Sequence, residues 1–75
     1  MESTFFNCKI DGPLATLVMN RPDKANGMSP DFWSDLPRLV RELDANPQIR
    51  ALVITGEGKH FTGGMDLSSF QDVAK

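Results

Sequence analysis

The chain has little with which to staple itself. Its one cysteine, Cys8, cannot form an internal disulfide. Cys8 and His60 are its whole supply of thiol and imidazole, too few for a Cys/His metal cluster. It also lacks a charge excess of one sign. Ten acidic and eight basic side chains leave a net charge of −2, which argues against nucleic acid or an anionic membrane as partner. No apolar run approaches the ~20 residues of a membrane span. Met1-Glu2-Ser3-Thr4 has none of the basic-then-apolar pattern of a secretory signal. The unpaired thiol favours a reducing compartment, so the expected location is cytoplasmic. Length is in short supply as well. A domain usually takes roughly 100–200 residues, and this chain has 75. A chain so short buries only about 60% of its unfolded surface.

What is there is orderly. Gly12-Pro13, Asn20-Arg21-Pro22, Asn26-Gly27, Asn46-Pro47 and Gly56-Glu57-Gly58 punctuate the chain. Thr4 to Asp11 partly alternates and reads as a strand; Leu14 to Met19 is nearly all apolar and reads as a second. The short link between them predicts a β-hairpin. A helix is expected over residues 30–45, with Ser29 as N-cap, Pro30 at its first position and Asp31 complementing the dipole. Phe32, Leu36, Leu39, Val40 and Leu43 form one stripe at helical period. Pro37 interrupts it and predicts a kink, or a short first turn followed by a longer helix. Pro47 ends the helix by pushing Asn46 out of the helical region.

The run Ala51-Leu52-Val53-Ile54-Thr55 fits a parallel strand buried on both faces. With strand 14–19 and the helix it makes a βαβ unit, for which a right-handed crossover is expected. One helix cannot cover both faces of a sheet. The whole is therefore read as α/β, an N-terminal ββαβ portion of a larger domain that is incomplete within residues 1–75.

Ligands of open α/β sheets bind beyond the C-terminal ends of the strands, which directs attention to Gly56 through Leu67. A Walker A loop would need Gly at position 53 and Ser or Thr at position 60; Val53 and His60 stand there. A dinucleotide fingerprint starting at Gly56 would need Gly at position 61, which is Phe61. There remain Gly63-Gly64 after Phe61, read as an anchoring aromatic. Paired glycines permit positive φ and close approach of a ligand. Such a turn can aim the Met65 N–H outward at an oxygen that gathers negative charge.

Asn20-Arg21-Pro22-Asp23-Lys24-Ala25-Asn26-Gly27 resembles the Asn-Arg-Pro-x-Lys-x-Asn-Ala segment of the enoyl-CoA hydratase/isomerase (crotonase) superfamily. Arg50 to Gly58 resembles its Arg-x-hydrophobic-hydrophobic-hydrophobic-Thr-Gly-x-Gly strand and turn. Phe61-Thr62-Gly63-Gly64-Met65-Asp66-Leu67 resembles its Phe-x-Ala-Gly-x-Asp-Leu loop. Phe32-Trp33 and Phe61-Thr62 look most like the dienoyl-CoA isomerase-like branch. The resemblance covers about positions 5 to 70. It implies a crotonase-like fold and an acyl-CoA-thioester enzyme, with Met65 N–H as one of two oxyanion donors. It also implies contacts to the coenzyme A part of the substrate from Lys24, Ala25, Gly63, Gly64, Met65, Asp66 and Leu67. Coenzyme A enters as substrate, so no separate cofactor and no metal are expected, and the full-length protein is expected to be a homo-oligomer, a trimer or hexamer. Gly63 and Gly27 stand where the family usually has Ala, which is expected to loosen both loops. The second oxyanion donor and the proton-moving acids lie downstream in the family, so residues 1–75 are expected to be inactive alone.

Plainer readings stand beside these. His60 is read as a solvated loop residue, Cys8 as a buried inert thiol, and Trp33 as packing. Asp66 could touch substrate or cap the next turn, and Lys24 could meet a phosphate or simply be solvated; both stay open. The alternative to the enzyme is a truncated, non-enzymatic fragment that binds coenzyme A or a partner.

Overall fold

The computed structural model of the chain describes residues 3–65. Strand β1 (Phe6–Asp11) and strand β2 (Leu14–Met19) are followed by a 3-10 turn (Pro22–Lys24), helix α1 (Pro30–Asp44) and strand β3 (Ala51–Gly56). The sheet order is β1-β2-β3. β1 and β2 pair antiparallel, with Cys8 opposite Leu17. β2 and β3 pair parallel, with Leu17 opposite Ile54. The hairpin between β1 and β2 closes through Gly12-Pro13. Gly12 has φ +57 and proline fixes a negative φ at the second position, which selects a II′-type over a I′-type turn. The first strand starts two residues later than the alternation suggests, because Ser3 folds over the chain start. Its hydroxyl accepts from the Phe5 and Phe6 N–H groups (3.1 and 3.0 Å) and donates to Asp35 Oδ2 of α1 (2.6 Å).

Period-two alternation decides which face of the sheet is buried. Phe6 and Cys8, then Ala15, Leu17 and Met19, then Leu52 and Ile54 share the face that meets Phe32, Leu36, Leu39 and Leu43 of α1. Phe5, Leu17 and Leu39 are fully buried at its centre. Phe32 closes one end of this core. Its ring sits edge-on to Phe5 (5.4 Å between centroids) and to Trp33 (4.8 Å). Such pairs contribute about 0.5–1.5 kcal/mol each beyond area burial. Trp33 is thus in packing contact, though half exposed.

Three expectations change. α1 is a single helix through Pro37. Proline deprives the Trp33 carbonyl of its usual donor, but on an exposed flank where solvent can replace it. Ser29 does occupy the N-cap with extended backbone, yet its hydroxyl makes no capping bond. β3 is not covered on both faces: Leu52 and Ile54 are half-buried while Val53 on the opposite face is 44% exposed. α1 packs on the face of Leu52 and Ile54, and among the described residues no second helix lies on the face of Val53. Val40 likewise falls at the margin of the helix stripe and is exposed. Among the described residues no helix is long and apolar enough to cross a membrane.

Candidate functional site

β2 and β3 end level with each other, Met19 opposite Gly56. The loops that leave them, 20–28 and 57–65, therefore run side by side at the C-terminal edge of the parallel pair. The Glu57 N–H donates to the Met19 carbonyl (2.8 Å), carrying the pairing one residue past the strands. Gly56 permits the turn. A Cβ there would lie 2.5 Å from the Phe61 carbonyl oxygen, 2.6 Å from that of His60 and 2.7 Å from Asn26 Nδ2.

Between the loops stands Asn26, which is completely buried. Its Oδ1 accepts from the Arg21 N–H (2.9 Å), and its Nδ2 donates to the Glu57 carbonyl (2.9 Å) and the His60 carbonyl (2.8 Å). Both amide protons are thus committed. Ala25 and Asn26 are both left-handed, each with φ 52. Asparagine tolerates that region; for alanine it costs about 1–2 kcal/mol. The strain has a compensating bond, for the Ala25 carbonyl accepts the Gly63 N–H at 2.7 Å.

The next residues lock Gly64. The Thr62 hydroxyl donates to the Asn26 carbonyl (2.6 Å) and accepts the Gly64 N–H (3.2 Å). The Met28 N–H donates to the Gly64 carbonyl (2.7 Å) within an isolated parallel bridge of Met28 with Met65. Among the described residues no peptide is cis, so the carbonyl of Gly64 and the N–H of Met65 point in opposite directions. With the carbonyl held against Met28, the Met65 N–H faces away from loop 20–28. It meets no acceptor among the described residues. Of the glycine pair only Gly64 is left-handed (φ +98).

The residues singled out in the sequence are thus partly brought together. Ala25, Gly63, Gly64 and Met65 form one connected unit, while the Lys24 side chain is exposed on the same loop. Asp66 and Leu67 lie outside the described residues. Phe61 does not anchor the loop: it is 57% exposed, and the buried Asn26 amide holds that turn instead. The His60 side chain is exposed, and its carbonyl is what the site uses. Cys8 is half-buried at the core, and burial pushes its thiol pKa up, away from the reactive thiolate. An open groove of about 900 Å³ lies elsewhere, lined by Thr4, Cys8, Lys9 and Asp35 among others, with no contribution from either loop. Sequence reasoning passed over the Asn26 side chain. The available signal was an Asn-Gly step in a polar loop, where asparagine can be left-handed and still hydrogen-bond.

The family model described as "Enoyl-CoA hydratase/isomerase" matches residues 9–75. The chain is 36% identical over 64 residues to the peroxisomal Delta(3,5)-Delta(2,4)-dienoyl-CoA isomerase of Arabidopsis thaliana, covering 85% of this chain and 23% of that one. It is 36% identical over 62 residues to the hydroxycinnamoyl-CoA hydratase-lyase of Pseudomonas fluorescens, covering 83% and 22%. A crystal structure of an enoyl-CoA hydratase/isomerase from Mycobacterium paratuberculosis superposes with a TM-score of 0.84 at 30% identity, covering 93% of this chain and 28% of that one. The chain spans about a quarter of the length of these relatives. Its ββαβ unit matches the N-terminal portion of their crotonase-like fold. The chain belongs to the enoyl-CoA hydratase/isomerase family.

Proposed function

We propose that this chain supplies one oxyanion donor, the Met65 N–H, to an enzyme that acts on acyl-CoA thioesters. One observation carries the reading. The Gly64 carbonyl is tied to the Met28 N–H, and the Met65 N–H is turned the other way, with no acceptor among the described residues. A donor fixed before substrate arrives needs no reorganisation when charge builds up on the thioester oxygen, and such a donor is worth about 2.7–4 kcal/mol. The names of the relatives span isomerisation, hydration and hydration with cleavage. A thioester enolate serves all three, so the proposal is made at that shared step.

In this reading residues 1–75 are the N-terminal part of a single hydratase/isomerase domain, and the second donor and the proton-moving carboxyl groups come from outside them. Lys24, Ala25, Gly63, Gly64, Met65, Asp66 and Leu67 flank the coenzyme A portion of the substrate. Coenzyme A is then part of the substrate, and the full-length protein assembles as a trimer or hexamer. The unpaired Cys8 supports a reducing compartment such as the cytoplasm; relatives from Arabidopsis thaliana and Mus musculus are named peroxisomal and mitochondrial. The test is a hydration and double-bond-migration assay of the full-length protein on short enoyl-CoA thioesters, together with exchange of the α-proton into deuterated solvent. Activity in any of the three supports the reading, and silence in all of them rejects it. Purified residues 1–75 are expected to give no turnover above buffer.

A further inference from the structure

We propose that Asn26 is the positioning residue of this site: its buried amide sets the direction of the Met65 N–H and thereby the rate of the chemical step. The inference rests on the oxyanion reading of Met65. The Met65 N–H is aimed by the 64–65 peptide plane, and that plane is held at both ends of Gly64. Its carbonyl is fixed by the Met28 N–H (2.7 Å) and its N–H by Thr62 Oγ1 (3.2 Å). Thr62 is in turn held by the Asn26 carbonyl (2.6 Å), and Gly63 by the Ala25 carbonyl (2.7 Å). Ala25 and Asn26 can present those carbonyls only while both remain left-handed.

Nothing in the intrinsic preference of Ala25 keeps it there. Backbone bonds close the turn locally, Ala25 N–H to the Pro22 carbonyl (3.2 Å) and Asn26 N–H to the Arg21 carbonyl (2.8 Å), and the side chain of Asn26 fixes that turn against the second loop by clamping the Arg21 N–H on one side and the Glu57 and His60 carbonyls on the other. All three partners of the side chain lie on the loops that flank the site, and none is a substrate-facing group in the reading above. Asn26 therefore acts through geometry. Its loss should let the Gly64–Met65 peptide wander by a fraction of an ångström, and displacements of about 1 Å at a reacting centre cost on the order of 10²-fold in rate.

The test uses the full-length enzyme. Asn26→Gly keeps the left-handed backbone accessible and removes the clamp, leaving the Arg21 N–H and the Glu57 and His60 carbonyls without that partner. Thr62→Val keeps the shape and removes the link from Asn26 to Gly64, and it carries the test if Asn26→Gly does not fold. Each is expected to lower kcat by about 10–100-fold with KM changed by no more than about threefold. The double variant should be no slower than the slower single one, since both cut the same connection. The infrared carbonyl stretch of bound ¹³C-labelled butyryl-CoA should rise in frequency in both, reporting a less polarised thioester.

If the variants lose thermal stability while kcat and the carbonyl stretch of the folded enzyme are unchanged, Asn26 is merely structural and the inference falls. Gly64→Val separates this from failure of the oxyanion reading. If Gly64→Val lowers kcat and the Asn26 and Thr62 variants do not, only the Asn26 inference is overturned. If Gly64→Val leaves kcat intact, both are.

Discussion

Replacing Gly64 by valine tests the loop at the point where its geometry is most exacting. A Cβ at this position meets nothing within 4 Å, so no clash is involved, and the whole effect must come through the backbone. At φ +98 a residue with a β-carbon is strained by about 1–3 kcal/mol, and a β-branched one lies at the upper end. Valine can relieve that strain by rotating toward negative φ. Doing so breaks the bonds from Met28 N–H and to Thr62 Oγ1 and swings the Met65 N–H with the peptide. If the donor is fully misaligned, kcat should fall by about 10²–10³-fold. His60→Ala removes an exposed side chain and leaves the carbonyl that Asn26 uses; its stability should change by no more than about 0.5 kcal/mol, and kcat should be retained. Met65→Ala should be milder than Gly64→Val, because the half-exposed thioether is not the donor. The measurement is kcat for the three variants of the full-length enzyme on a short enoyl-CoA, with folding verified by circular dichroism. Should His60→Ala prove the most damaging, an acid–base histidine replaces the backbone donor and the reasoning fails.

Gly63→Ala tests the idea that a second glycine loosens the loop. The new methyl would sit 3.4 Å from both Cβ and O of Ala25, which allows it. The variant should gain about 0.4–1 kcal/mol of stability from a less flexible unfolded chain, read as a higher urea midpoint, with kcat retained. Acid stability should report on the chain start. The Ser3 hydroxyl, more than Arg38, holds the Asp35 carboxyl below its usual range. A lowered carboxyl pKa contributes stability that is complete above the unfolded value, near 3.8, and is lost as pH falls through the folded one. Asp35→Asn should therefore flatten the loss of stability below that pH in a urea-unfolding series; an unchanged acid limb would show that the Ser3 contact is weak in solution.

Local chemistry was enough to read the elements. Gly12-Pro13 marks a tight hairpin, the stripe from Phe32 to Leu43 marks a helix face, and the apolar run after Arg50 marks a strand. What depends on distant neighbours was not legible. The same apolar run does not tell which of its two faces α1 packs against; the pairing register sets Leu52 and Ile54 on that face and Val53 on the other. Ser29 has the right identity and position for a cap, but whether its hydroxyl reaches a backbone N–H depends on a side-chain torsion that residue type does not fix. Phe61 was read as an anchor because aromatics usually are, yet the turn it occupies is already closed by a polar contact from the other loop. At the site, Gly64 and Met65 could be picked out from a local pattern. For Asn26 the Asn-Gly step marked only a left-handed turn; what its side chain holds was not legible, since its partners Glu57 and His60 are 31 and 34 positions away.

Those same separations fix an order of events during synthesis. A nascent chain that has reached only α1 already contains Ala25 and Asn26, but has no carbonyl for the Asn26 amide to meet and no Gly63 N–H to compensate the left-handed alanine. The hairpin strands are adjacent in sequence, whereas loop 20–28 gains its contacts to the second loop only after β3 has docked parallel to β2 and residues 57–63 are present. Contacts of such range carry their loop-closure cost before any reward. An arrest of elongation between α1 and His60 would leave a hairpin and helix beside a loop with only its own local bonds, such as Asn26 N–H to the Arg21 carbonyl, and without the Glu57, His60 and Gly63 contacts that tie it to the second loop.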